Sequence, residues 1–143
     1  MSEEEKSLPE QGAAEAPVKR KKRGKMKRLV TRGRVYVQAT YNNTIITVTD
    51  EKGDVIAWQS AGGVGFKGPK KSTPYAASII IRKLLEKIKD VGLKQVDVYI
   101  KGVGSGRESA VRSIAQQGIT ITSIKDVTPM PHNGTRAPKP RRI

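Results

Sequence analysis

Between Thr73 and Gly92 the apolar residues Ile81, Leu84, Leu85, Ile88 and Val91 recur at helical spacing, with Arg82, Lys83, Glu86, Lys87 and Lys89 mostly off that line. They form one apolar stripe on a helix, and such a stripe must be buried against another layer. The flanking sequence supplies that layer. Val35, Val37 and Ala39 alternate with Tyr36, Gln38 and Thr40, the period-two pattern of a strand. Thr44 to Thr49 is β-branched throughout, and Val55 to Ser60 follows after DEKGD, whose turn chemistry predicts a hairpin. Gln95 to Ile100 alternates again, Arg107 to Gln117 reads as a weaker second helix, and Ile119 to Val127 as a last strand. Thr73-Pro74 suits the N-cap and first position of the long helix, and Gly92 its end. The order β-β-β-α-β-α-β predicts a single α/β domain. It has one mixed five-stranded sheet covered by two helices, in the ribonuclease H-like order.

Charge divides the chain further. The 143 residues hold 28 Lys+Arg and 13 Asp+Glu, a formal +15. Residues 1–16 carry five acids and one lysine, an acidic leader expected to be disordered. Residues 17–34 carry ten basic residues and no acid, a basic N-terminal arm; residues 128–143 carry four basic residues, no acid and four prolines, a second, C-terminal arm. Residues 35–127, with 13 basic and 8 acidic residues, have the balance of an ordinary folded domain. A compact body with two basic arms favours a polyanionic partner, because lysine and arginine displace the counterions condensed on phosphates. An anionic membrane is not expected, because no long apolar run or lipidation signal occurs. The acidic start MSEEEKSLPE fits neither a secretory signal nor a transit peptide, so the cytoplasm is the expected location.

Enzymatic readings fail on residue types. Without cysteine there is no thiolate metal site or cysteine nucleophile, and one histidine, His132, builds no metal cluster alone. KGVGSGRESA (Lys101 to Ala110) has the strand, glycine loop and helix start of a nucleotide site, but its spacing is G-x-G-x-G, and Asp126, the acid about 20 residues on, reads as lying at a strand's far end. A metal-dependent nuclease needs converging carboxylates; Asp50, Glu51 and Asp54 share one hairpin turn and Asp97 stands alone on a strand. No enzyme, cofactor or metal is expected.

Three stretches could hold phosphate. Ala61 to Ser72 reads as a loop with four glycines, Phe66, and Lys67, Lys70 and Lys71 ahead of a helix N-terminus. Phe66 could stack on a base or plug the core. In KGVGSGRESA, Ser105 and Glu108 fit a capping box, while Arg107 in the first helical turn calls for a nearby anion. Gly104, Gly106 and Arg107 are therefore phosphate candidates. The arms are the third stretch: Lys19, Arg20, Lys21, Lys22, Arg23, Lys25, Lys27, Arg28, Arg32 and Arg34, then His132, Asn133, Arg136, Lys139, Arg141 and Arg142. On the residues alone, a general nucleic-acid-binding protein of the nucleoid is the alternative.

The segments NNTI, STP-aromatic-AA, GRES and DVTP-x-PHNG, within a match from about Arg34 to Ile143, closely resemble the small-subunit ribosomal protein S-eleven family. The resemblance implies an α/β fold with a mixed five-stranded sheet and a structural, ribosome-bound role. It further implies a place on the platform of the small subunit, bridging helices of ribosomal RNA. The seventh and eighteenth small-subunit proteins are the implied neighbours, with messenger RNA exiting nearby at the Shine-Dalgarno region; no homo-oligomer is implied. By position, Asn42, Asn43, Lys67, Lys70, Lys71, Arg107, Arg136, Arg141 and Arg142 become RNA-facing. This chain has Val103 and Ser105 where the commoner bacterial form has prolines, and Thr135 where that form has cysteine. The first 16 residues have no counterpart in the resemblance.

Overall fold

The computed structural model describes residues 29–139. The expectations for Lys19 to Arg28, Arg141, Arg142 and the acidic leader therefore lie outside the described residues. Five strands form one sheet: β1 (Arg32–Ala39), β2 (Thr44–Asp50), β3 (Val55–Ser60), β4 (Gln95–Lys101) and β5 (Thr120–Asp126). Their spatial order is β3-β2-β1-β4-β5, with β1–β2 and β2–β3 antiparallel and β1–β4 and β4–β5 parallel. The mixed sheet of the sequence reading is thus present, with the expected hairpin closed at Gly53, whose φ is +99°.

Strand alternation decides which face is covered. Val35, Val37 and Ala39 of β1, Ile46 and Val48 of β2, and Val96, Val98 and Ile100 of β4 are all buried. Helix α2 (Pro74–Ile88) packs on β2 and β3, and helix α3 (Gly106–Gln116) packs on α2, β1, β4 and β5. Ile80, Ile81, Leu84 and Ile88 of α2 join Ala110 and Ile114 of α3 in that core. Burying each such aliphatic side chain contributes about 1.5–3 kcal/mol. The α2 stripe shifts slightly from expectation: Ala76, Ala77 and Ile80 are buried while Leu85 and Val91 are only partly so.

Two boundaries differ from the sequence reading. The stretch Ala61 to Ser72 is not a plain loop. It holds a short helix α1 (Ala61–Val64), capped by the Ser60 side chain accepting from Gly63 N, and a 3-10 turn (Gly68–Ser72). Three helices therefore cover the sheet instead of two. Strand β1 also starts at Arg32, taking in residues that read as arm. Gly33 is buried there, and a Cβ on it would lie 2.5 Å from the Thr49 carbonyl oxygen. The glycine therefore fits the ladder where a side chain would not.

Candidate nucleic-acid interface

The parallel strands β1, β4 and β5 end on the same side of the domain, and the loops leaving them meet there. Thr40 to Asn43 follows β1. Its Thr40 Oγ1 donates to the Asn43 carbonyl at 3.1 Å, and Asn43 N donates back to Thr40 Oγ1 at 3.0 Å. The Asn43 side-chain oxygen accepts from Thr44 N at 2.9 Å, so Asn43 holds the turn while Asn42 stands exposed. Tyr41 beside it is 75% exposed.

The glycine loop Gly102 to Ser105 follows β4 and lies directly against that turn. Gly102 has φ +104°, and a Cβ on it would strike the Ala39 carbonyl. Gly104 N donates to the Ala39 carbonyl at 2.9 Å, and a Cβ on Gly104 would lie 2.5 Å from the Thr40 oxygen. A Cβ on Gly106 would lie 3.3 Å from that of Ala77, where α3 crosses α2. Gly104 and Gly106 are buried. The first correction is narrow: these glycines serve close packing, and the Gly104 N–H is already bonded to the Ala39 carbonyl.

Ser105 corrects a second expectation. It occupies the N-cap of α3 with helical φ and ψ (−68°, −13°), and its side chain makes no cap hydrogen bond. Its hydroxyl donates instead to the Ser72 carbonyl at 2.7 Å, tying the glycine loop to the lysine-bearing stretch. Glu108, the other half of the expected capping box, faces Arg112 at 3.6 Å.

Arg107 supplies the third correction. Its guanidinium donates to the Gly102 carbonyl and to the Asp126 carboxylate at the end of β5. The anion that a cation in the first turn of α3 calls for is thus a carboxylate of the same chain, with no phosphate required. Asp126 also accepts from Thr128 Oγ1 at 2.6 Å and Thr128 N at 3.0 Å. The Thr128 hydroxyl is the largest cause, followed by its N–H and by Arg107, of an Asp126 pKa lowered to about 2. Gly102 N donates to Thr128 Oγ1 at 3.1 Å, so the start of the C-terminal tail is fastened to the glycine loop.

Cations concentrate at the lysine-bearing stretch. Lys67 and Lys70 are exposed and Lys71 is half-buried. Thr73 caps α2 by accepting from Ala76 N at 3.3 Å and donates to the Lys70 carbonyl at 2.8 Å. No acidic residue lies in the first turn of α2, whose positive dipole end adds to the three lysines. Phe66 packs on the core and edge-to-face on Tyr75, their centroids 6.0 Å apart. Of the two roles open to Phe66 the structure shows packing on the core, and Tyr75 beside it is 67% exposed. The sequence reading did not single out Tyr41 and Tyr75, the exposed rings at this end; their signal was an aromatic at a turn or helix start, ahead of any apolar periodicity.

From Thr128 to Lys139 the chain runs without helix or strand, and His132, Asn133, Arg136 and Lys139 are exposed. Arg32 and Arg34 do not join the loop end. Arg32, at the far end of β1, pairs with Asp97 at 3.3 Å and Glu51 at 3.7 Å, and Arg34 lies on the helix-free face of the sheet. Among the described residues no group of three or more His, Cys, Asp or Glu could hold a metal ion.

A mixed α/β domain that gathers lysines and exposed aromatic rings around interlocked loops has the makings of a polyanion-binding protein. Residues 33–142 match the family described as Ribosomal protein S11, and the chain belongs to that family. It is similar to the small ribosomal subunit protein uS11 of Borreliella burgdorferi (strain ZS7), 59% identical over 119 residues, covering 83% of this chain and 92% of that protein. Against the same-named protein of Aquifex aeolicus (strain VF5) the identity is 51% over 123 residues, covering 86% and 98%. Against that of Helicobacter pylori (strain ATCC 700392 / 26695) it is 55% over 119 residues, covering 82% and 91%. Members of this family are structural ribosomal components, so the chain is not an enzyme.

Proposed function

We propose that the loop end binds ribosomal RNA on the platform of the small subunit, bridging RNA helices near the messenger exit and the Shine-Dalgarno region. At the coarser level the chain is a structural constituent of the small ribosomal subunit, associated with ribosomal RNA in translation. One observation carries the finer reading. Lys67, Lys70 and Lys71 precede a capped helix N-terminus with no acid in its first turn, and the Ser72–Ser105 bond locks them beside the glycine loop.

This arrangement suits phosphate contacts that read shape more than sequence, because A-form RNA hides its major-groove base edges. Asn42 and the exposed rings of Tyr41 and Tyr75 flank the same end. The basic residues ahead of β1 and the tail 128–143 thread between RNA helices, with His132, Asn133, Arg136, Lys139, Arg141 and Arg142 carried by the second, while Arg32 and Arg34 stay in the sheet. In this reading Arg107 anchors the loop and the tail, and reaches RNA only with its remaining exposed edge. The seventh and eighteenth small-subunit proteins are the neighbours, messenger RNA passes nearby, and the assembly is cytoplasmic.

Co-sedimentation of the chain with small subunits at moderate salt, together with filter binding to platform RNA, tests this reading. Binding weakens steeply with salt, and the K67A/K70A/K71A variant lowers the slope of log K against log salt by about 3. A slope unchanged in that variant would remove the lysines from the interface.

A further inference from the structure

Among the described residues, one face of the sheet carries no helix. Register aligns Trp58 of β3, Thr47 of β2, Tyr36 of β1, Tyr99 of β4 and Lys125 of β5 in a single row across all five strands. Tyr36 and Tyr99 are stacked, with centroids 5.1 Å apart and planes 18° from parallel. The Lys125 ammonium lies 5.8 Å from the Tyr99 ring centroid. Trp58, at the edge strand, is 60% exposed. Neighbouring rows add Arg34, Asp97 and Ser123 on one side and Gln38 and Lys101 on the other.

The chemistry of this face names its occupant. Its one acid, Asp97, accepts from Ser123 Oγ at 2.8 Å and pairs with Arg32, with Arg34 and Lys125 close enough to stabilise its charge; with Lys101, four cations on the face stand against a single carboxylate. Lys101 and Lys125 lie on the face, whereas lysine is depleted at protein–protein interfaces. With a face of Tyr36 on Tyr99 and Lys125 over the other ring, the tyrosines offer edges and hydroxyls more than open rings for base stacking. Hydroxyl donors among spaced cations, on a broad and gently twisted surface, complement the wide, shallow minor groove of an RNA helix with its 2′-hydroxyls and flanking phosphates.

We infer that the helix-free sheet face is a second RNA-contacting surface, which seats the minor groove of an RNA helix along the Trp58–Lys125 row. It rests on the RNA-binding reading above and adds a surface separate from the loop end. Two sides of one small domain then hold RNA, which is what a bridging role requires.

Trp58 is the one tryptophan of the chain, so its fluorescence reports this face alone. The experiment titrates the full chain with purified small-subunit ribosomal RNA, measuring retention on filters and acrylamide quenching of Trp58 in the same samples. The expected result is loss of most Trp58 quenching on RNA binding, with a salt slope lower by about 2 in the K101A/K125A variant, whose fold is checked by circular dichroism. RNA retention with unchanged Trp58 quenching and an unchanged slope overturns the second surface and leaves the loop-end reading standing. No retention by the unaltered chain at low salt overturns both.

Discussion

Arg107 and Asp126, 19 residues apart in sequence, join the first turn of α3 to the end of β5, and Asp126 in turn holds Thr128 through its hydroxyl and its N–H. Since Arg107 also donates to the Gly102 carbonyl, one side chain fastens the glycine loop, the last strand and the start of the C-terminal tail. The basic tail therefore leaves the domain in a defined direction.

Asp126 should titrate far below an ordinary aspartate. Its pKa is about 2 against the usual 3.8, lowered first by Thr128 and then by Arg107. A depressed carboxyl contributes stability that is present above its unfolded value and is lost as pH falls through its folded value. Carboxyl-carbon NMR should place the midpoint near 2, and the tail should loosen between about pH 4 and pH 2. In Thr128→Ala and Arg107→Ala the midpoint moves up towards 3.8, further in the first; a midpoint already near 3.8 in the unaltered chain contradicts the network.

Glycine loops of similar appearance should respond oppositely to alanine. Gly102→Ala forces a Cβ into the Ala39 carbonyl at φ +104° and should cost about 2–4 kcal/mol. Gly62→Ala, inside α1 with only Lys71 Cδ 4.0 Å away, should be neutral or stabilise by about 0.5 kcal/mol. Urea midpoints measure both, and equal shifts would contradict the packing described for the glycine loop.

The expected capping box can be tested by a double-mutant cycle. Ser105 and Glu108 should show a coupling near zero, within about 0.3 kcal/mol, because the Ser105 hydroxyl binds the Ser72 carbonyl and Glu108 faces Arg112. Thr73→Ala, by contrast, removes a working cap and should cost about 1 kcal/mol in thermal or urea unfolding.

Thr44 is fully buried, and its hydroxyl has no hydrogen-bond partner among the described residues. Thr44→Val keeps the shape and removes the buried polar atom, so it should raise stability by about 1 kcal/mol in urea unfolding. A loss of that size instead would show that the hydroxyl is satisfied in solution.

The sequence by itself determined the element order, the mixed sheet and the long helix. Those depend on periodicity within one segment, as in Val35 to Ala39 or Ile81 to Ile88, and on local chemistry such as Thr73-Pro74 and Gly92. It also determined the partner class, since net charge and its division between body and arms need no fold to be counted. Only the tertiary structure decided what single residues do. The anion beside Arg107 lies 19 residues away at the end of β5, and Ser105 turns from its own helix to a carbonyl 33 residues back. Gly33 joins a strand where the Thr49 carbonyl of β2 leaves no room for a side chain. The row from Trp58 to Lys125 exists only through the register of five strands, each of which shows the sequence nothing beyond its own alternation. Local spacing fixes which face a side chain takes within its element; packing between distant segments fixes what that side chain meets.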